Sequence, residues 1–211
     1  MAISVNSDKR LLFVGDSITD CARCDDPEQI GTGYVRIIRD YMRVKHPPTA
    51  PHVINRGVGG NQILDMASRW QTDVIAQRPH ILSINIGVND VWYGFSDANR
   101  AVAPQRFGEV LHGLLTQVKH HLPECKLVMC EPSGIWTPQP AEASPRLKPY
   151  VKAVGDLARE FKADCVVPLH AAFAYAMQSR PDIQWTTDGV HPTTSGHMLI
   201  AMTWLQETGL A

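Results

Sequence analysis

The sequence predicts an α/β protein, a three-layer α/β/α sandwich on a five-stranded parallel sheet. Three observations predict it. Five short apolar runs alternate with stretches whose apolar residues recur at helical spacing. The runs are nearly continuous rather than alternating, as in strands buried on both faces. The first three end in glycine beside a hydrogen-bonding residue. Alternating strands and helices call for parallel pairing, and right-handed crossovers then cover the sheet on both sides.

Leu11–Val14 is the first strand, running into Gly15-Asp16. Tyr34, Ile37, Ile38 and Tyr41 follow the i, i+3, i+4, i+7 pattern of one helix face. His52–Ile54 is the second strand, leading to Gly57-Val58-Gly59-Gly60. Ile63, Met66, Ala67, Trp70 and Val74 give the next helix face, and Ile81–Ile86 the third strand, ending at Gly87. Phe107, Val110, Leu111, Leu114, Leu115 and Val118 form the cleanest helical stripe. Lys126–Met129 is the fourth strand. Glu131–Pro149 carries prolines at 132, 138, 140, 145 and 149 and is expected to be an irregular functional surface loop. Val154, Leu157, Ala158 and Phe161 mark a helix, Cys165–Val167 the fifth strand. Met198, Ala201, Met202 and Leu205 mark the last helix, with Gly209 as its C′ residue.

At 211 residues the chain is expected to be one domain, residues 1–211. Lys and Arg number 20 against 21 Asp and Glu, a net charge of −1, so no overall field draws a polyanion and nucleic acid is not expected as a partner. With 44% hydrophobic and 19% charged residues the composition is globular rather than disordered. No apolar run reaches the length of a secretory signal or membrane span, so a cytoplasmic protein without a membrane partner is expected. Near-neutrality is compatible with a homo-oligomer without demanding one. Five cysteines without a signal argue against a disulfide framework. Cys21-x-x-Cys24 lacks the second pair that a structural zinc needs, so free thiols and no metal are expected.

In an open parallel sheet ligands bind beyond the carboxyl ends of the strands. There the sequence offers Gly15-Asp16-Ser17, Gly59-Gly60-Asn61 and Gly87-Val88-Asn89-Asp90, and Asp188-Gly189-Val190-His191 precedes the final helix. A hydroxyl, an imidazole, a carboxylate, glycine amides and a carboxamide are the groups acyl transfer needs. Taken singly each has a plainer explanation. Ser17 fits a helix cap, Asp188 and Gly60 fit turns, Asn89 and Asp90 fit a strand-to-loop turn, and His191 fits a surface histidine. Their conjunction at successive strand ends does not. No P-loop, dinucleotide fingerprint or G-x-S-x-G elbow is present. Asp16 and Asp20 lack the further carboxylates of a metal or phosphatase site.

Gly15-Asp16-Ser17-Ile18, Asn55–Asn61, Gly87-Val88-Asn89-Asp90 and Asp188-Gly189-Val190-His191 resemble, in order, the four sequence blocks of the GDSL, or SGNH, hydrolases. The resemblance implies a flavodoxin-like fold and a cofactor-free serine mechanism. Ser17 would be the nucleophile, His191 the general base and Asp188 its orienting carboxylate. The N–H groups of Ser17 and Gly60 and the Asn89 amide would form the oxyanion hole, with Gly59 the rival to Gly60. Gly15–Cys21, Gly31–Val35, Arg69-Trp70, Asp73–Gln77, Asn89–Trp92 and Gly196–Met198 are similar to the acetylxylan esterase branch. That implies a small ester partner, an acetylated sugar. Asp16, Trp92 and Trp185 are the substrate-binding candidates, with Trp136 a further aromatic ring able to stack on a sugar. A lysophospholipase or thioesterase is the alternative, and a non-catalytic carbohydrate-binding protein a third possibility.

Overall fold

A computed structural model describes residues 3–133 and 143–211, the side chains of 143 and 144 excepted. Five parallel strands are present: β1 (Arg10–Gly15), β2 (His52–Gly57), β3 (Ile81–Asn85), β4 (Lys126–Cys130) and β5 (Cys165–Val167). They lie in the order β2-β1-β3-β4-β5. This is the flavodoxin-type order, whose switch point falls between β1 and β3. Gly15 stands level with Gly57 on one side and Asn85 on the other, so the first three strands end together. Leu11, Leu12, Phe13 and Val14 are all fully buried, which is why the run shows no alternation.

The helices are α1 (Ser17–Asp20), α2 (Tyr34–Lys45), α3 (Ile63–Ser68), α4 (Val88–Trp92), α5 (Pro104–His121), α6 (Ala143–Glu160), α7 (Leu169–Ser179) and α8 (Thr194–Thr208). On α5 the residues Phe107, Leu111, Leu114, Leu115 and Val118 are buried, as their spacing requires, and Pro104 occupies the first turn where its missing N–H costs nothing. Helices α3, α5 and α6 pack in succession, and α2 packs on α8, which also meets α7 and β5. Thr193 caps α8 at one end and Gly209, at φ +72°, at the other. No helix among the described residues is long and apolar enough to cross a membrane.

Two expectations are corrected. The Ile63–Val74 stripe is not one helix: α3 stops at Ser68 and a π-helical turn, Gln71–Ile75, follows. The proline-rich stretch does not stay irregular to Pro149, because α6 begins at Ala143. Pro145 falls in the first turn, where the N–H is unpaired in any helix. Pro149 removes one internal bond, but Leu147 and Tyr150 are buried, and with Val154 and Leu157 they extend the inward stripe. Helix α7 was not foreseen. Asn89 and Asp90 lie in a helical turn, α4, rather than in a loop.

Candidate active site

Ser17 stands at the junction of β1 and α1. A Cβ on Gly15 would lie 2.2 Å from the Asn85 carbonyl oxygen and 2.4 Å from Thr19 Oγ1, so only glycine lets the chain turn there. Asp16 caps α1, its Oδ1 accepting the Ile18 N–H at 3.0 Å, and Ser17 opens the helix. Asp16 itself is only 1% exposed, which leaves no free face for a substrate. Burial pushes its carboxyl up to about 7, against the pull of the Ile18 amide and of nearby His191 and Arg69.

Asp188 and His191 share one turn. Thr186 and Pro192 pair across its base, and Gly189 adopts φ +92°. Asp188 Oδ1 accepts the N–H groups of Val190 at 2.9 Å and His191 at 2.8 Å. This local arrangement presents Oδ2 to His191 Nδ1 at 2.6 Å. Burial works to raise the Asp188 carboxyl, but the bonds from His191 and the two amides prevail and hold it below its ordinary value. Asp188 therefore accepts from Nδ1 as a carboxylate, an arrangement that in the neutral ring leaves Nε2 as the acceptor. Ser17 Oγ lies 2.9 Å from that Nε2. The Asp188 and His191 side chains are each 50% exposed, so the trio faces solvent on one side.

Gly60 lies in the loop after β2 at φ +78°, a left-handed conformation that favours glycine. Three side chains hold that loop. Asp20 Oδ2 accepts the Gly59 N–H at 3.2 Å, the Tyr93 hydroxyl donates to the Gly60 carbonyl at 2.9 Å, and Arg69 Nε donates to Asn61 Oδ1 at 2.7 Å. The Gly59 amide is thus engaged within the protein, which distinguishes it from Gly60 as a donor to a ligand. Asn89, 5% exposed, donates from Nδ2 to the Asn61 carbonyl at 3.1 Å. A carboxamide has two N–H donors, so one remains for a ligand. Its neighbour Asp90 is buried and accepts the Ile63 N–H at 3.1 and 3.3 Å, fixing the start of α3.

A cavity of about 390 Å³ opens beside Ser17 and His191, and Cys21, Ala22, Thr187 and Pro192 contribute to its wall. Trp185 is not part of that wall. Its indole N–H donates to the Arg180 carbonyl at 3.1 Å and its body packs on the core. Trp92 also packs on the core, with Phe95 edge-on at 6.1 Å. Trp136 lies outside the described residues. Cys21 and Cys24 are free thiols. Cys21 Sγ is 3.4 Å from Nε2 of His197, a ring that burial, with some help from His191, lowers to about 4 and keeps neutral.

The structure therefore brings Ser17, Asp188, His191, Gly60 and Asn89 to one end of the sheet. Tyr93 was not foreseen as a member of this region, nor was the bond by which Asp20 holds Gly59. Tyr93 and Gly60 are 33 residues apart, and no sequence period connects them. A hydroxyl, imidazole and carboxylate in series, flanked by amide donors, can activate an oxygen nucleophile and stabilise an oxyanion.

Residues 13–199 match the GDSL-like Lipase/Acylhydrolase family. The chain is 31% identical to an acetylxylan esterase of Geobacillus stearothermophilus, over 98% of this chain and 97% of that one. The crystal structure of an acetylxylan esterase from that organism superposes with a TM-score of 0.89 at 30% identity, covering 99% of this chain and 98% of that one. Catalytic mutants of that esterase, altered at a serine, an aspartate and a histidine, superpose equally well. A chain from Parabacteroides merdae described as a GDSL-like lipase superposes at 0.92, with 31% identity and 100% of both chains covered.

Proposed function

The chain belongs to the GDSL-like lipase/acylhydrolase family and is a carboxylic ester hydrolase, and on that premise we propose that Ser17, His191 and Asp188 run a two-step hydrolysis of acetyl esters on xylo-oligosaccharides or related sugars. The observation that carries this reading is the unbroken chain from Ser17 Oγ through the His191 ring to Asp188, with contacts of 2.9 and 2.6 Å. His191 Nε2 takes the Ser17 proton as Oγ attacks the ester carbonyl, while Asp188 stabilises the imidazolium. The Ser17 and Gly60 N–H groups and the Asn89 amide receive the developing oxyanion. His191 then gives that proton to the departing sugar oxygen as the ester C–O bond breaks, releasing the sugar alcohol. Water, activated by the same nitrogen, releases acetate from the acyl-enzyme.

The catalytic mutants of the Geobacillus enzyme support the assignment. Their aspartate precedes their histidine by three positions, the spacing of Asp188 and His191. Another mutant form of that protein is described as an acetyl-xylooligosaccharide esterase, which supports the substrate class and weighs against a lysophospholipase or thioesterase. Acetate release from acetylated xylo-oligosaccharides tests the proposal. Wild type is expected to release acetate, and Ser17→Ala to fall by about 10⁶-fold in kcat. Equal turnover by the two proteins refutes it. Activity that rises steadily from acetyl to decanoyl esters refutes the acetyl preference alone.

A further inference from the structure

We infer that Arg69 is a positioning residue that fixes the oxyanion donors through one guanidinium; the inference rests on the esterase reading above. Arg69 lies just beyond α3, its C=O accepting the Asp73 N–H at 2.9 Å and its Nη1 bonding Asp73 Oδ2 at 2.7 Å. From this anchorage the side chain reaches three segments. Nη2 donates to the Gly15 carbonyl at 3.0 Å, Nη1 to the Arg56 carbonyl at 2.8 Å, and Nε to Asn61 Oδ1 at 2.7 Å. Gly15 is two residues before Ser17. Asn61 directly follows Gly60, and its carbonyl receives the Asn89 amide at 3.1 Å. One planar cation therefore touches the chain close to Ser17 and Gly60, and through Asn61 it is linked to Asn89.

Sheet pairing already fixes Gly15 and Arg56, because β1 and β2 are in register there. Asn61 lies outside the sheet. The guanidinium thus transfers the rigidity of two strand ends to the loop that carries Gly60, and through Asn61 to Asn89. Only a rigid fork of donors serves these directions at once; a lysine ammonium on a flexible stem does not reproduce it. With its side chain 16% exposed, the cation is held by oxygen acceptors on each edge.

The test compares Arg69→Lys, Arg69→Gln and Asn61→Ala with wild type on p-nitrophenyl acetate, each preparation normalised by active-site titration with a fluorophosphonate. Inhibition by phenylboronic acid, which forms a tetrahedral adduct on a catalytic serine, is measured alongside. Both Arg69 variants are expected to lose about 10²-fold in kcat with KM within about twofold of wild type. Their boronate inhibition is expected to weaken in parallel, and Asn61→Ala to show a smaller loss of the same kind. Arg69 variants with wild-type kcat per titrated site, or with a change confined to KM, overturn the inference while the esterase reading stands. If Arg69→Gln does not fold, Arg69→Lys and Asn61→Ala decide by the same criteria. Wild type without Ser17-dependent turnover overturns the esterase reading and this inference with it.

Discussion

Asp90 and Asp16 are carboxyls that the fold has buried beneath the site, and each is pushed up to about 7. For Asp90 burial is the main cause; the Ile63 amide opposes it, and Asp16 adds a repulsive share. The consequence for stability has a definite sign. Below the unfolded value near 3.8 the carboxyl is protonated in both states. Between about 4 and 7 the folded state keeps the proton and the unfolded state has lost it, so stability falls as pH rises through that window. Asparagine resembles the protonated form. Asp90→Asn is therefore expected to gain about 1–4 kcal/mol relative to wild type between pH 4 and pH 8. Urea denaturation at both pH values checks this, and an unchanged difference rejects it. Asp188 behaves oppositely: burial works to raise it, but the bond from the His191 ring and the two N–H donors of its turn hold it below its ordinary value.

At the scale of the element, the β1–α1 junction carries the tightest steric demand near the site. Gly15 passes between the Asn85 carbonyl and the Thr19 side chain, and Asn85 O is backbone that β3 holds in place. Gly15→Ala is expected to cost roughly 1–3 kcal/mol as the junction shifts to admit the methyl. It is also expected to lower kcat, because Ser17 is two residues away; a variant with wild-type midpoint and kcat rejects this reading. The elements differed in how plainly the sequence announced them. All five strands are where their apolar runs lie: β1 from Leu11 onward and all of β3 are buried, whereas the edge strand β2 alternates between buried and more exposed residues and still keeps Val53 and Ile54 side by side. Helix α6 was half hidden: Pro145 and Pro149 read as loop residues, while Leu147 and Tyr150 were already keeping the spacing of Val154 and Leu157. Helix α7, LHAAFAYAMQS, packs on α8 through Leu169, Phe173 and Ala176, but its exposed residues include Ala171, Ala174 and Tyr175, so no polar face marks it in the sequence.

At the scale of the whole molecule, the His191 turn and the Ser17 junction must be held in register although 174 positions separate them. Helix α8 begins just after the His191 turn and crosses the sheet. Its Trp204 is fully buried, packs on Phe13 of β1 at 5.3 Å, and donates its indole N–H to Ser83 Oγ of β3 at 3.0 Å. This contact ties the helix to the two strands that flank the switch point. Trp204→Phe leaves Ser83 without that donor and opens a void, and is expected to cost about 1–3 kcal/mol. The denaturation midpoint measures it; an unchanged midpoint shows that α8 is held by other contacts.

By itself the sequence determined the alternation of strands and helices, the strand ends where glycines meet polar groups, and the Asp188-to-His191 turn. Each of these is local: burial on two faces, backbone freedom at glycine and a three-residue spacing are written into consecutive residues. Only the tertiary structure decided that Ser17 Oγ meets His191 Nε2, that the Gly59 amide is engaged by Asp20, that Asp16 is buried beneath the site, and that Arg69 joins three segments. The physical reason is the same in each case. These contacts depend on the strand order β2-β1-β3 and on the packing of α8, which bring chain segments far apart in sequence to one end of the sheet, and hydrogen-bond partners at such separations leave no period in the sequence.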